Sequence, residues 1–163
     1  MNASSKADAG KRSKATGRSL ARLGAVQALY QMDLAATSMA EIFAQFEAHR
    51  LGKTEDGDVL GGADAAFFRD IVSGVVREQR ALDPDIDHHL AQGWRLTRVD
   101  STLRAILRAG AYELIHRKDV PARVILDEYV ELAKDFFDGD ETRVVNGILD
   151  TIARTVRAKE LAG

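Results

Sequence analysis

The chain of 163 residues has no cysteine, only two prolines and one tryptophan. Without cysteine there are no disulfide staples, thiolate zinc sites or thiol nucleophiles, which fits a reducing compartment. No run of about 18 apolar residues occurs, so the sequence predicts no membrane-spanning helix. The lysines and arginines of the first twenty residues are followed by no apolar stretch. A secretory signal is therefore not expected, and the chain reads as cytoplasmic. No segment alternates with period two for long enough to form a strand.

What is present is helical patterning in a chain long enough to bury a core unaided. Residues 1–17 are rich in Ser, Ala, Gly and Lys and read as a disordered basic tail. From Ser19, Leu20, Leu23, Val26, Leu29, Tyr30 and Leu34 recur near a 3.6-residue period. Ser38 and Glu41 form a capping box for a second helix carrying Ile42, Phe43 and Phe46. A loop over 51–62 precedes a third helix from Asp64, with Phe67, Phe68, Ile71, Val72, Val75, Val76 and Leu82 facing inward. Asp83-Pro84 supplies the N-cap and first-turn proline of a short fourth helix ending near Gln92-Gly93.

The fifth helix, about 98–117, carries Leu103, Ile106, Leu107 and Leu114. The sixth, opened by Pro121, is expected to bury Ile125, Tyr129, Leu132 and Phe136 and to stop at Gly139. Asp140 is expected to cap a seventh through Val145, Ile148 and Ile152. The fold class is all-α: about seven helices spanning 18–158, with 159–163 as a flexible C-terminus.

The net charge of −2 hides an asymmetry. Residues 1–22 hold Lys6, Lys11, Arg12, Lys14, Arg18 and Arg22 against Asp8 alone, while the remainder is net acidic. A basic arm on an acidic body suits either a polyanion contact or a solubilising tail. Arg18 and Arg22, Arg104 and Arg108 (each pair one helical turn apart), and Arg143 near a helix start are the candidate contacts.

Catalytic and metal signatures fail on inspection. Gly52-Lys53-Thr54 resembles the end of a phosphate loop, but the required first glycine is Glu47. Asp83, Asp85 and Asp87 mimic a calcium loop whose sixth position is His88 and twelfth Trp94. His49, His88, His89 and His116 lack metal-ligand spacing, and the acid pairs lack a pocket signature. No cofactor, metal or catalytic residue is assigned.

Gly74, Gly110 and Gly147 fall inside helices, where each costs about 1 kcal/mol relative to alanine, so tight helix crossings are expected there. Tyr112 and Tyr129 are expected to bury their rings with the hydroxyl at a polar edge. Asn146 suits a surface amide, a core hydrogen-bonder or a ligand contact, with a structural role favoured.

Four segments are more specific: A-V-Q-A-L-Y-Q at 25–31, F-R-D-I-V-S-G-V at 68–75 and I-L-R-A-G-A-Y-E-L at 106–114, then D-V-P at 119–121 with E-L-A-K at 131–134 and V-N-G-I-L-D at 145–150. In this order and spacing the chain resembles the NusB family of transcription antitermination factors, from about Arg18 to Arg157. The resemblance implies two packed helical bundles and an RNA-binding function within the transcription elongation complex. It further implies pairing with the ribosomal protein NusE and recognition of boxA, a single-stranded element of nascent ribosomal RNA.

Carried over residue by residue, the family's RNA surface falls on Lys14, Arg18 and Arg22, together with Asp140, Arg143 and Val144. Tyr30 and Leu34 are the corresponding NusE contacts. The chain departs from the family pattern in two respects. Ser19 and Leu20 interrupt the arginine cluster, and Val144 stands where relatives often carry a ring, so NusE is expected to supply much of the affinity. The alternatives are an accessory domain of an RNA cytosine methyltransferase, which needs a further cofactor domain that this sequence does not contain, and a structural homodimer.

Overall fold

The computed structural model describes residues 17–49, 62–90 and 94–162. Among the described residues there are seven α-helices and one 3-10 turn: α1 (Gly17–Ala35), α2 (Met39–His49), α3 (Ala65–His89), the turn Leu96–Arg98, α4 (Ser101–His116), α5 (Ala122–Phe136), α6 (Glu141–Val156) and α7 (Ala158–Ala162). No strand occurs among the described residues. The expected tail over 1–16, most of the 51–62 loop and the end at Gln92-Gly93 lie outside them.

Helix α4 is the spine of the molecule. On one side it packs against α1 and α3, with α2 laid on them; on the other it packs against α5 and α6. The two bundles share this helix, so Ile106, Leu107, Ala109 and Leu114 are buried all round it. Such an element has no outward stripe to spare.

Local chemistry sets several boundaries as expected. The Glu41 N–H donates to Ser38 Oγ (3.2 Å) and the Ser38 N–H to Glu41 Oε2 (3.4 Å), the reciprocal capping box. Asp64 accepts from the Phe67 N–H at 3.0 Å and starts α3.

The third and fourth expected helices are instead one helix, α3, which runs through Pro84. Proline inside a helix costs about 3 kcal/mol. Leu82 and Ile86, on either side of it, are fully buried, and their burial holds the helix together across the missing hydrogen bond. Asp83, released from capping, receives both Nε and Nη2 of Arg108 at 2.8 Å. The expected stop at Gly139 also moves: α5 ends at Phe136, and Phe137 is already extended (φ −134°, ψ 144°). Asp140 makes no side-chain cap; its carboxylate pairs with Arg143 instead. Val76 and Phe136, expected inside, are exposed, because the neighbouring helices do not reach their edges of α3 and α5.

The three glycines expected at tight crossings, Gly74, Gly110 and Gly147, divide two to one. A Cβ at Gly74 would fall inside the Tyr112 ring, and one at Gly110 would come within 2.6 Å of Leu149. Gly147, by contrast, meets nothing within 4 Å and lies on the exposed face of α6. The expected tight crossing at Gly147 is therefore absent. Gly74→Ala should lower stability by about 1–3 kcal/mol through overpacking, whereas Gly147→Ala should raise it by up to about 1 kcal/mol through helix propensity. Urea unfolding of the two variants reads both signs.

Candidate nucleic-acid interface

Helix α1 brings Arg18 to the rim of the first bundle. Its backbone start is pinned where the Asp64 N–H donates to the Gly17 carbonyl at 2.9 Å. The half-exposed Arg18 guanidinium lies 4.6 Å from the Phe67 ring centroid and 4.0 Å from each of the Asp64 and Asp119 carboxylates. Arg117 stacks on the same ring at 4.9 Å and binds Asp119 and Asp70. Hydrogen bonding from Arg117 holds the Asp119 carboxyl down at about 2, and raises the Arg117 pKa in return. The rim thus presents arginines, but arginines already partnered by carboxylates.

Asp119 carries a pH signature. Its folded pKa lies below the ordinary value near 4, so its contribution to stability is present above about pH 4 and lost as pH falls toward 2. Thermal melts between pH 5 and 2 should show a shallower decline for Asp119→Asn than for the parent chain.

Arg22 is not at the rim. It is 2% exposed, and its Nε and Nη2 donate to the two Glu113 carboxylate oxygens at 2.8 and 3.0 Å. The buried Tyr129 hydroxyl donates to the same carboxylate, and Glu128 Oε1 lies 3.6 Å from Arg22 Nη1. Burial lowers the Arg22 pKa, but the Glu113 hydrogen bonds and charge more than reverse this and keep it cationic. Burial, then the Glu113 charge, pushes Tyr129 well above the ordinary tyrosine range.

The expected RNA contact at Arg22 is therefore corrected to an internal strut joining α1, α4 and α5. The signal for it is in the sequence. Arg22, Ala25, Val26 and Leu29 follow i, i+3, i+4, i+7, the spacing of the buried stripe, and Glu113 is the lone charge in an otherwise apolar run on α4.

Arg104 and Arg108 are also committed internally. Arg104 Nε donates to Asp33 at 3.0 Å and Nη1 to the Leu96 carbonyl at 3.0 Å, while Arg108 holds Asp83. Neither offers a free guanidinium. Lys14 lies outside the described residues.

The second group of site residues sits at the α5–α6 turn. Arg143 is 84% exposed and paired with the exposed Asp140, while Val144 is partly buried against the core. Asn146, one turn after Arg143, is exposed, so the core-amide reading falls and the side chain joins this outer face.

Helix α6 runs parallel to α4: Glu141 lies by Leu103 at one end, and the Val156 carbonyl accepts from Lys118 Nζ at the other. Arg18 shares the Phe67 ring and Asp119 with Arg117, and Glu141, in the first turn of α6 with Arg143, borders the same groove as Leu103. The two groups therefore sit toward opposite ends of α4, roughly 20 Å apart at 1.5 Å per residue. The fold does not gather them into one cluster. Tyr30 and Leu34, at the other end of α1 from Arg18, both reach solvent, Leu34 with 59% of its surface.

Among the described residues no three His, Asp or Glu side chains converge as a metal site, and no helix is long and apolar enough to cross a membrane.

The NusB family model matches residues 19–154. The transcription antitermination protein NusB of Rhodopseudomonas palustris strain BisB18 is 58% identical over 149 residues, covering 91% of this chain and 88% of that protein. That of Bradyrhizobium diazoefficiens is 58% identical over 147 residues, covering 90% and 89%. Among solved structures, T. maritima NusB aligns at a TM-score of 0.73 with 28% identity, covering 90% of this chain and 97% of that one. A complex of antitermination factors NusB and NusE with double-stranded RNA aligns at 0.70 with 27% identity, covering 85% and 97%.

Proposed function

The chain belongs to the NusB family, and from that membership we propose that it is an RNA-binding transcription antitermination factor. It pairs with ribosomal protein NusE, binds boxA of nascent ribosomal RNA and acts in the cytoplasm within the transcription elongation complex. It binds and does not catalyse. The observation that carries this reading is the likeness, across most of the chain, to a solved NusB–NusE–RNA complex. The relatives are covered over nearly their whole length, so the free-standing factor is the better comparison than a fused methyltransferase accessory domain.

The RNA surface has two anchors. One is the rim at Arg18, with Lys14 leading into it. The other is the α5–α6 turn at Asp140, Arg143 and Val144. A span of roughly 20 Å corresponds to about six phosphates at the 3.4 Å spacing of a stacked strand, so one short single strand can touch both. Arg22 positions α1 from within. Tyr30 and Leu34 offer NusE an exposed apolar pair on one face of α1, an aromatic and an aliphatic anchor of the kind interfaces use.

The test is a titration of labelled single-stranded boxA RNA, its duplex and a scrambled strand, each with and without NusE. Tighter binding of boxA than of the scrambled strand, strengthened by NusE, supports the reading. Equal binding of both strands in the presence of NusE contradicts it.

A further inference from the structure

We propose that the groove between residues 94–100 and the start of α6 is a stacking subsite for one base of the bound single strand, with Trp94 as its platform and Arg95 and Arg98 gripping the adjoining phosphates. The proposal rests on the RNA-binding function above and extends the α5–α6 anchor to a surface with no assigned role.

Trp94 is the only tryptophan of the chain, and 40% of its surface is open to solvent. It borders a cavity of about 310 Å³ whose floor includes the buried Leu103. The segment that carries it is fixed from both sides. The Leu96 N–H donates to Asp87 Oδ1 at 2.9 Å, and the Leu96 carbonyl accepts from Arg104 at 3.0 Å. The 3-10 turn Leu96–Arg98 therefore buries Leu96 and directs Arg95 and Arg98 to solvent on a rigid base.

These two arginines differ from most others among the described residues. Arg22, Arg104, Arg108 and Arg117 are each held by a carboxylate, whereas Arg95 and Arg98 make no ion pair and no side-chain hydrogen bond. The nearest acid in sequence, Asp100, is engaged as the cap of α4, accepting from the Thr102 and Leu103 N–H groups at 2.8 and 3.4 Å. Two uncommitted guanidiniums beside an open indole combine phosphate binding with a π-face, the pairing that single-stranded nucleic acid requires. Glu141, on the opposite wall, can accept a hydrogen bond from an exocyclic base amine. Glu141 and Arg143 belong to the same first turn of α6, so the groove and the α5–α6 anchor are neighbours on the surface.

The lone tryptophan makes the test direct. The full chain with NusE is titrated with single-stranded boxA RNA, followed by anisotropy of the labelled RNA and by tryptophan emission. The Trp94→Phe variant separates the Trp94 signal from any signal of the partner. RNA should quench the Trp94 emission. Trp94→Ala should weaken binding by about fivefold or more, Trp94→Phe should retain most of the affinity, and Arg95→Ala with Arg98→Ala should reduce the salt slope by about 0.7 for each charge removed.

Unchanged affinity in Trp94→Ala together with an unchanged slope in the double arginine variant would overturn the subsite while leaving RNA binding intact. A parent chain that binds no RNA by anisotropy would overturn both. Loss of NusE capture in Trp94→Ala, with RNA affinity unchanged, would assign the groove to the protein partner and refute the proposal. The arginine variants lie on the surface and keep the test open if Trp94→Ala misfolds.

Discussion

Replacing Glu113 by glutamine is expected to destabilise the protein by about 3–5 kcal/mol, read as a shift in the urea midpoint at unchanged slope. Glu113 is fully buried and receives both arms of Arg22 and the Tyr129 hydroxyl. Removing its charge leaves a guanidinium in the interior with only the partly exposed Glu128, 3.6 Å from Nη1, as counter-ion, and such a group has no route back to water while α1 stays docked. Arg22→Ala strands Glu113 in the same way.

The losses are not additive, because either variant breaks the same pair. Replacing the whole cluster by apolar residues, Arg22→Met with Glu113→Leu and Tyr129→Phe, should recover much of the loss, since no charge or hydroxyl is then left unpaired. If Glu113→Gln costs less than about 1 kcal/mol, the cluster is not the strut described.

Arg143→Glu is expected to weaken RNA binding by about tenfold at moderate salt and to leave folding within about 0.5 kcal/mol of the parent. The guanidinium is almost wholly in water, and the carboxylate paired with it, Asp140, is itself largely exposed. Reversing its charge therefore alters the field met by a phosphate without touching the core. Arg18→Glu should have a smaller effect on RNA, because Asp64 and Asp119 already offset that charge.

Arg22 provides the contrast. Its removal should cost stability heavily yet leave the salt dependence of the folded protein unchanged. An RNA affinity insensitive to Arg143→Glu would remove the α5–α6 turn from the interface.

The helical class, the Ser38–Glu41 capping box, the start of α3 at Asp64 and most of the buried stripes follow from local pattern, because each is decided within a few residues. The departures lie where a distant element decides. Pro84 reads as a helix start until the burial of Leu82 and Ile86 is known. Gly147 reads like Gly74 and Gly110, but only those two have a side chain pressed against them. Arg104 and Arg108 read as an exposed pair and are taken up by Asp33 and Asp83 from other helices.

Arg22 is the instructive case. The charge count and the family pattern placed it on the surface with Arg18, whereas its spacing to Ala25, Val26 and Leu29 placed it inside. A charge on a buried stripe calls for a search for its counter-charge, and Glu113 answers it. The exposure of Arg143 and Trp94 depends on how α6 and the 94–100 segment meet α4, which no local pattern encodes.

The central claim, that this chain and NusE together form a site for single-stranded boxA RNA, is tested most directly by measuring RNA affinity for the pair at several salt concentrations. The account predicts boxA binding that is tighter with NusE than without it, with log K falling by about 0.7 per phosphate contacted against log salt. An affinity indifferent to NusE, or one that does not change with salt, would contradict it.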